Sequence, residues 1–307
     1  MPDIPLVCIV GPTASGKSAL ALALAEEAGG EIVSCDSLQV YRGLDIGSAK
    51  PSAAEQARVR HHLIDVADPD QGFSAARYAE LARAALADIS ARGRRVLVVG
   101  GTGLYLRALL LGLFEGPARD EPLRRRLERM AERFGDARLH RLLLRVDPEA
   151  AARLEPRDRV RVVRALEVFR ASGRPLSEHL RRPGQALTGF EVLTVGLSPP
   201  REELRRHVEA RTDAMLARGL LDEVRALLAR GYSPELRPLQ AIGYRQAVDV
   251  LAGRLDLARA RHDIVLKTMQ YAKRQRTWFR HQAQAQWHDA ADAAESAVRA
   301  FWRDRRA

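Results

Sequence analysis

The stretch GPTASGKS, residues 11–18, constrains this chain more than any other segment. Gly11, Gly16, Lys17 and Ser18 fit the pattern G-x-x-x-x-G-K-[ST], a loop whose backbone N–H groups wrap a polyphosphate. Its flanks agree with it. LVCIV (6–10) reads as a buried strand entering the loop, and SALALALAEEAGG (18–30) as the helix leaving it, closed by Gly29 and Gly30. The loop amides and the helix N-terminus face the anion, Lys17 adds a point charge, and Ser18 can ligate Mg²⁺. The whole loop, Gly11, Pro12, Thr13, Ala14, Ser15, Gly16, Lys17 and Ser18, is therefore expected to hold a diphosphate or longer. It does not specify a nucleotide.

Strand and helix alternate through the first third: strand 6–10, helix 17–28, strand EIVSCD (31–36), a helix around 74–91, and strand RVLVVGG (95–101). VLTVGL (192–197) supplies a further strand after a long interval. Continuous apolar strands separated by helices predict an α/β fold, a P-loop NTPase-like parallel sheet flanked by helices. Between 116 and 190 the chain turns Arg-rich and strand-poor, with Pro and Gly at both margins (FEGPARDEP and RRPGQALTG). We read 116–189 as an all-helical insertion in a core made of 1–115 and 190–307. From 201 the sequence is mostly helical, and the residues after about 287 read as peripheral.

No apolar run reaches the ~18–20 residues of a membrane span. The N-terminus enters the first strand at once, which leaves no room for a signal peptide. Cys8 and Cys35 are the only cysteines, so neither a disulfide framework nor a Cys-rich zinc site is available. A cytoplasmic monomer is the expectation.

The formal net charge is +11, and its location matters more than its size. Residues 119–182 hold 18 Arg against 11 Asp or Glu, and residues 267–280 hold Lys267, Lys273, Arg274, Arg276 and Arg280 with no acid. The remainder is close to neutral. Basic charge confined to two segments points to a polyanionic surface, nucleic acid above all. Only Lys17, Lys50, Lys267 and Lys273 are lysine among 50 basic residues; Lys17, a compact donor in a tight loop, is the plain case of a lysine that arginine cannot replace, and for the other three the rarity is only a hint.

Several side chains carry chemistry. Strand 31–36 puts Asp36 at the carboxyl edge of the sheet, expected beside the P-loop, where it can hold Mg²⁺ or accept a proton; the plainer reading is a cap on an Asp36-Ser37 turn. The third strand ends in glycine with Thr102 as its polar group, unlike the acidic ending common in P-loop NTPases. GGTGLY also fails as a dinucleotide fingerprint, because Leu106 stands where the third glycine belongs. Arg211 shares a helical stripe with Leu204, Val208 and Met215, so it needs an inward anion, either a structural carboxylate or the diphosphate.

In YAKRQRTWFR (271–280), Lys267, Tyr271, Arg274 and Trp278 share one helical face and Lys273, Thr277 and Arg280 another. Bases interleaved with aromatics suit phosphate contacts beside stacking surfaces, while a solvated basic face over a core Trp278 and Phe279 is the bland alternative. Arg157, Arg161 and Arg164 line one face of an insertion helix. His61 and His62 point in different directions with no cysteine cluster near, and read as structural.

GPTASGKS, DSLQVYRGLDIGSAKP, HHLID, GGTGLY, RALEV, AIGYRQ and YAKRQRTWFR, in this order, closely resemble the bacterial tRNA dimethylallyltransferases (tRNA isopentenyltransferases), from about residue 6 to 282. The resemblance implies transfer of the dimethylallyl group of dimethylallyl diphosphate to the exocyclic amine of the adenosine just 3′ of the anticodon, in tRNAs reading codons that begin with U. It implies that Lys17, Ser18 and Mg²⁺ stabilise the departing diphosphate, that Thr13 and Arg211 hold the leaving group, and that Asp36 is the general base. The metal ligands would be Ser18 and Asp36. It further implies RNA contacts by Asp36, Ser37, Leu38, Gln39, Thr102 and Arg124. The same role falls to Arg161 and Arg164 in the insertion, to Gly243, Tyr244 and Arg245, and to Lys273, Arg274, Gln275, Arg276, Thr277, Trp278 and Arg280. Val160 belongs to that RNA-facing set by position, but stands where the family often carries a glutamine. Ser48 replaces a commoner threonine.

Three other readings stay open on the residues alone: prenylation of free adenine nucleotides, a small-molecule kinase using ATP, and a non-catalytic RNA-binding module. The basic segments speak against the first, and intact Lys17, Asp36 and Thr13 against the last. The charge distribution carries a test. Affinity for tRNA is expected to fall on the order of 10³-fold between about 50 and 200 mM salt, measured by filter binding. A flat response would remove the basic RNA surface.

Overall fold

A computed structural model describes residues 3–114, 116–117, 119–181 and 184–304. It divides into two compact units, one running to Leu110 and resuming at Leu187, the other Leu111–Ala186. The second unit begins a few residues before the expected 116; the expected boundary residue Glu115 lies outside the described residues.

The first unit is built on six parallel strands: β1 (Ile4–Val10), β2 (Glu31–Ser34), β3 (His61–His62), β4 (Val96–Gly100), β5 (Phe190–Leu197) and β6 (Gln286–His288). Their order across the sheet is β3-β2-β4-β1-β5-β6. β1 is central, paired Leu6 to Val96 on one side and Leu6 to Val192 on the other. Its residues from Leu6 to Val10 are essentially inaccessible, which is why the sequence shows an unbroken apolar run rather than alternation. Val7 and Ile9 join Leu97 and Val195 under α1 (Lys17–Ala28), which contributes Leu20 and Leu24. Leu6 and Cys8 are equally buried toward the opposite face, where α3 (Ala75–Ala91) lies against β2 and β4.

Two sequence expectations change here. The strand carrying Asp36 is not beside the P-loop strand: β4 lies between β1 and β2. Local patterning cannot encode the order of parallel strands, because every central strand looks alike from its own residues. The C-terminal residues are also not peripheral. β6 extends the sheet, and α14 (Ala291–Arg303) buries Ala294, Val298 and Trp302 in the same core as α1. Arg95 sits over the Trp302 ring at 5.8 Å, closing that edge.

The histidines are structural, as their sequence suggests. They form β3, where His61 Nδ1 lies 2.7 Å from Val59 O and His62 Nε2 lies 2.7 Å from Glu31 Oε2. Arg92 grips both oxygens of buried Glu31 and, with His62, holds its carboxyl down at about 2 despite burial. Among the described residues no helix is long and apolar enough to cross a membrane.

The unit also contains α2 (Ala53–Arg58), α4 (Gly103–Leu111), α10 (Arg201–Ala217), α11 (Leu220–Ala229), α12 (Tyr244–Leu251) and the 26-residue α13 (Leu257–Gln282).

The second unit is all helical, with α5 (Glu121–Phe134), α6 (Asp136–Val146), α7 (Pro148–Arg153), α8 (Arg159–Ser172) and α9 (Leu176–Leu180). Leu127, Leu139, Leu143, Val162, Val163 and Leu166 make its apolar core. One carboxylate organises its polar side. Glu167, 0% exposed, accepts from Asp120 N–H (2.7 Å), Arg124 Nη1 (3.0 Å) and Arg164 Nη1 (2.7 Å). A buried charge with three donors is well paired, and removing it strands the arginines. Glu167→Leu is expected to destabilise this unit by about 3 kcal/mol. Amide exchange on α8 measures it; protection equal to wild type would show that the cluster does not hold the helices together.

Candidate active site

The P-loop leaves β1 through Gly11, whose φ of +142° places the missing Cβ 2.2 Å from Leu197 O of β5. Only glycine lets the chain turn that close to the neighbouring strand. Lys17, the first residue of α1, folds back into the loop and donates to Pro12 O at 2.5 Å, with Ser15 Oγ 3.5 Å away. The uncapped first turn of α1 leaves its N–H groups directed at the same space. Ser18 is exposed there.

Arg211 reaches in from α10 and donates to Thr13 Oγ1 at 2.9 Å. It forms no ion pair among the described residues, so the structural-carboxylate alternative does not describe it. Burial is the main cause that lowers its pKa, with Asp36 opposing. Lys17 is pushed down to about 7 by burial and then by the charge of Arg211, again opposed by Asp36. Two cations thus meet at one loop, and one carboxylate acts on both of them.

Asp36 follows β2 at the carboxyl edge. Its Oδ1 accepts from Leu38 N–H (2.8 Å) and Gln39 N–H (3.3 Å), so the turn-capping role is real and does not exclude a chemical one. β4 ends in glycines at the same edge. A Cβ on Gly100 would lie 2.1 Å from Cys35 O, so the glycine ending lets β2 pass closely. Thr102 ties the two ends together: its N–H donates to Cys35 O at 3.2 Å and its hydroxyl accepts from Ser37 N–H at 3.1 Å. Gln39 is fixed between Ser34 Oγ (2.8 Å) and Ala49 O (3.1 Å). Ser37 and Leu38 complete this half-buried turn.

The long helix α13 splits by face. Lys273, Arg274, Thr277 and Arg280 are exposed, Arg276 is half-buried, and Arg274 lies over the Tyr271 ring at 5.7 Å. Phe279 is core, while Trp278 is half-buried with its ring against Gly103. Phe279 thus follows the core reading, while the basic residues and Trp278 remain accessible on the other faces.

Four residues of the expected RNA-facing set are buried or paired internally. Gln275 is buried, its Oε1 accepting from Thr13 N–H (2.9 Å) and its Nε2 donating to Gly101 O (2.9 Å). Tyr244 is 0% exposed and its hydroxyl donates to Glu223 Oε1 at 2.8 Å, and Gly243 before it is also buried. Arg124 is spent on Glu167 with 11% of its side chain exposed. Motif membership marked these positions, but it does not distinguish a surface contact from an internal clamp. Arg245, Arg161 and Val160 are exposed, the last at 71%; Arg164 is shared between solvent and Glu167.

Sequence reasoning missed the supports of the segment that follows Asp36. Glu223 accepts from the backbone N–H groups of Asp45, Ile46 and Gly47 as well as from Tyr244. Buried Lys50 donates to Tyr41 O (2.9 Å), Asp45 (2.5 Å) and Asp65 (2.6 Å). Ser48, in the same segment, donates to Leu44 O. The rarity of lysine was the one sequence signal for Lys50.

Comparison with known proteins agrees with this geometry. The family model for IPP transferase matches residues 39–282. A tRNA dimethylallyltransferase of Geobacter metallireducens is 53% identical, covering 92% of this chain and 91% of that protein. One from Solibacter usitatus is 51% identical over 92% of both chains. Among solved structures, the full-length tRNA isopentenylpyrophosphate transferase of Bacillus halodurans has 37% identity and a TM-score of 0.70, covering 98% of this chain and 97% of its own. A eukaryotic dimethylallyltransferase acting on tRNA has 28% identity and a TM-score of 0.80, covering 98% and 77%.

The lowered Lys17 pKa predicts proton-linked anion binding. Below a pH of about 7 Lys17 is already charged in the free protein; above it, an arriving anion draws a proton onto the amine. Titration of inorganic pyrophosphate in buffers of different ionisation heat should show about one more proton taken up by wild type than by Lys17→Met near pH 8, and no difference near pH 6. Equal uptake at pH 8 would place Lys17 outside the anion's reach.

Proposed function

The chain belongs to the IPP transferase family and, within it, to the tRNA dimethylallyltransferases, and on that premise we propose its donor, acceptor and residue roles. The donor is dimethylallyl diphosphate. The acceptor is the exocyclic amine of the adenosine 3′-adjacent to the anticodon, in tRNAs that read codons beginning with U. The supporting observation is the convergence of Lys17 and Arg211 on one loop, with Asp36 across the same sheet edge as their counter-charge.

The reaction forms a bond from the amine nitrogen to the allylic carbon as the carbon–oxygen bond breaks. The bonding pair leaves on the diphosphate, and the proton of the amine goes to the Asp36 carboxylate. An adenine amine is a weak nucleophile, so base assistance and in-line placement contribute much of the rate. Charge builds on the leaving oxygens, where Lys17, Arg211 and the first-turn amides of α1 face it. Thr13, held by Arg211, is presented to the same oxygens.

Magnesium fits this arrangement. The ion takes one or two protein oxygens and completes its shell with phosphate and water. Ser18 is exposed at the first turn of α1 and would ligate the ion directly; Asp36, beyond β2 with β4 between it and the P-loop strand, would reach it through water. Among the described residues no cluster of three acidic, His or Cys side chains could hold a metal alone, so the diphosphate itself must complete the site. When bound, the ion neutralises diphosphate charge. For the RNA, the first unit offers the exposed residues of α13, and the second offers Arg157, Arg161 and Val160. The target base must leave the anticodon-loop stack to reach the edge.

Label transfer tests the reading. With radiolabelled dimethylallyl diphosphate, Mg²⁺ and unmodified tRNA, the label is expected in the RNA. Label on free AMP instead would favour a nucleotide prenyltransferase, and turnover of γ-labelled ATP alone a kinase. Asp36→Ala is expected to keep tRNA affinity near wild type and to lose roughly 10²–10⁴-fold in transfer rate. Unchanged turnover would end the general-base assignment.

A further inference from the structure

Gln275 sits on the helix whose outer residues are basic, yet its own side chain turns inward and touches both halves of the catalytic edge. Its Oε1 accepts the Thr13 N–H at 2.9 Å and its Nε2 donates to Gly101 O at 2.9 Å. The first contact fixes the donor loop. The second fixes the end of β4, from which Thr102 holds the Asp36–Gln39 turn through Cys35 O and Ser37 N–H. Thr13 in turn carries Arg211 on its hydroxyl. Its N–H is given to a side chain rather than to the anion, so this bond shapes the loop. Gly101 is part of the same device, since a Cβ there would lie 2.2 Å from Gln275 Nε2. No other element among the described residues is hydrogen-bonded by one side chain to both the loop after β1 and the end of β4.

We propose that Gln275 is a positioning residue that locks the donor loop and the acceptor edge at a fixed separation, joining α13 to both. The inference rests on the transferase reading, and it assigns Gln275 to geometry instead of RNA contact. α13 presents Lys273, Arg274, Thr277 and Arg280 on its other side, so the residues open to RNA and the one that fixes the loop share a helix but not a face. An amide is suited to this task, being acceptor and donor at once without charge; a methionine of similar reach offers neither.

Two variants break the bond from opposite ends. Gln275→Met removes the amide, and Gly101→Ala pushes it aside. Each is expected to lower kcat on the order of 10²-fold, since small misplacement in an in-line transfer is costly. Each should also weaken inorganic pyrophosphate about tenfold and leave the tRNA Kd and KM unchanged. In a double-mutant cycle the combined variant should resemble either single one, because both remove one interaction. Losses that multiply would overturn the proposal, as would a defect that appears in tRNA affinity with kcat intact. Should one variant fail to fold, the other with the pyrophosphate titration still decides. If wild type transfers no prenyl label, the transferase reading fails by itself, while the pyrophosphate affinities of the variants still report on the bond.

Discussion

Two cations placed at one loop with too little negative charge around them set the character of this molecule. Lys17 and Arg211 are withdrawn from solvent, repel one another, and share only the influence of Asp36. Burying charge in that way costs stability unless something completes it. The fold bears the cost by supporting the loop from every side: Gly11 against β5, Gln275 from α13, Arg211 on Thr13. Electrostatically the loop is left with a deficit of negative charge.

The Asp36 turn is built by the opposite means, held by hydrogen bonds to its own backbone. Asp36 is oriented by the amides of its own turn, and the turn is held by Thr102 and Gln39. Behind it, Glu223 gathers three consecutive N–H groups and Lys50 joins the 41–50 and 61–67 segments. What this scaffold supplies to the Asp36 carboxylate is orientation.

Local chemistry was legible in the sequence, and global arrangement much less so. The P-loop could be read because strand, loop and helix are adjacent in the chain. Arg211 could be found because a lone arginine on an apolar stripe demands an anion. Strand order could not, and Asp36 lies one strand further from the loop than its sequence neighbourhood suggested. Tyr244 and Gln275 show a second limit: both lie in motif segments beside exposed basic residues, and only packing reveals that they face inward. The helix carrying Trp302 shows a third, since its apolar positions gain meaning only once β6 brings it under the sheet.

The interposed strand also acts as a gauge. With β4 between β1 and β2, the donor loop and Asp36 spring from strands two spacings apart, about 9.5 Å. Adjacent strands would offer about half of that. The glycines at the end of β4 leave that interval to other groups: Gly100 admits Cys35 O and Gly101 the Gln275 amide. The width of a β-ladder, fixed by peptide hydrogen bonding, thus sets the interval between the P-loop and Asp36.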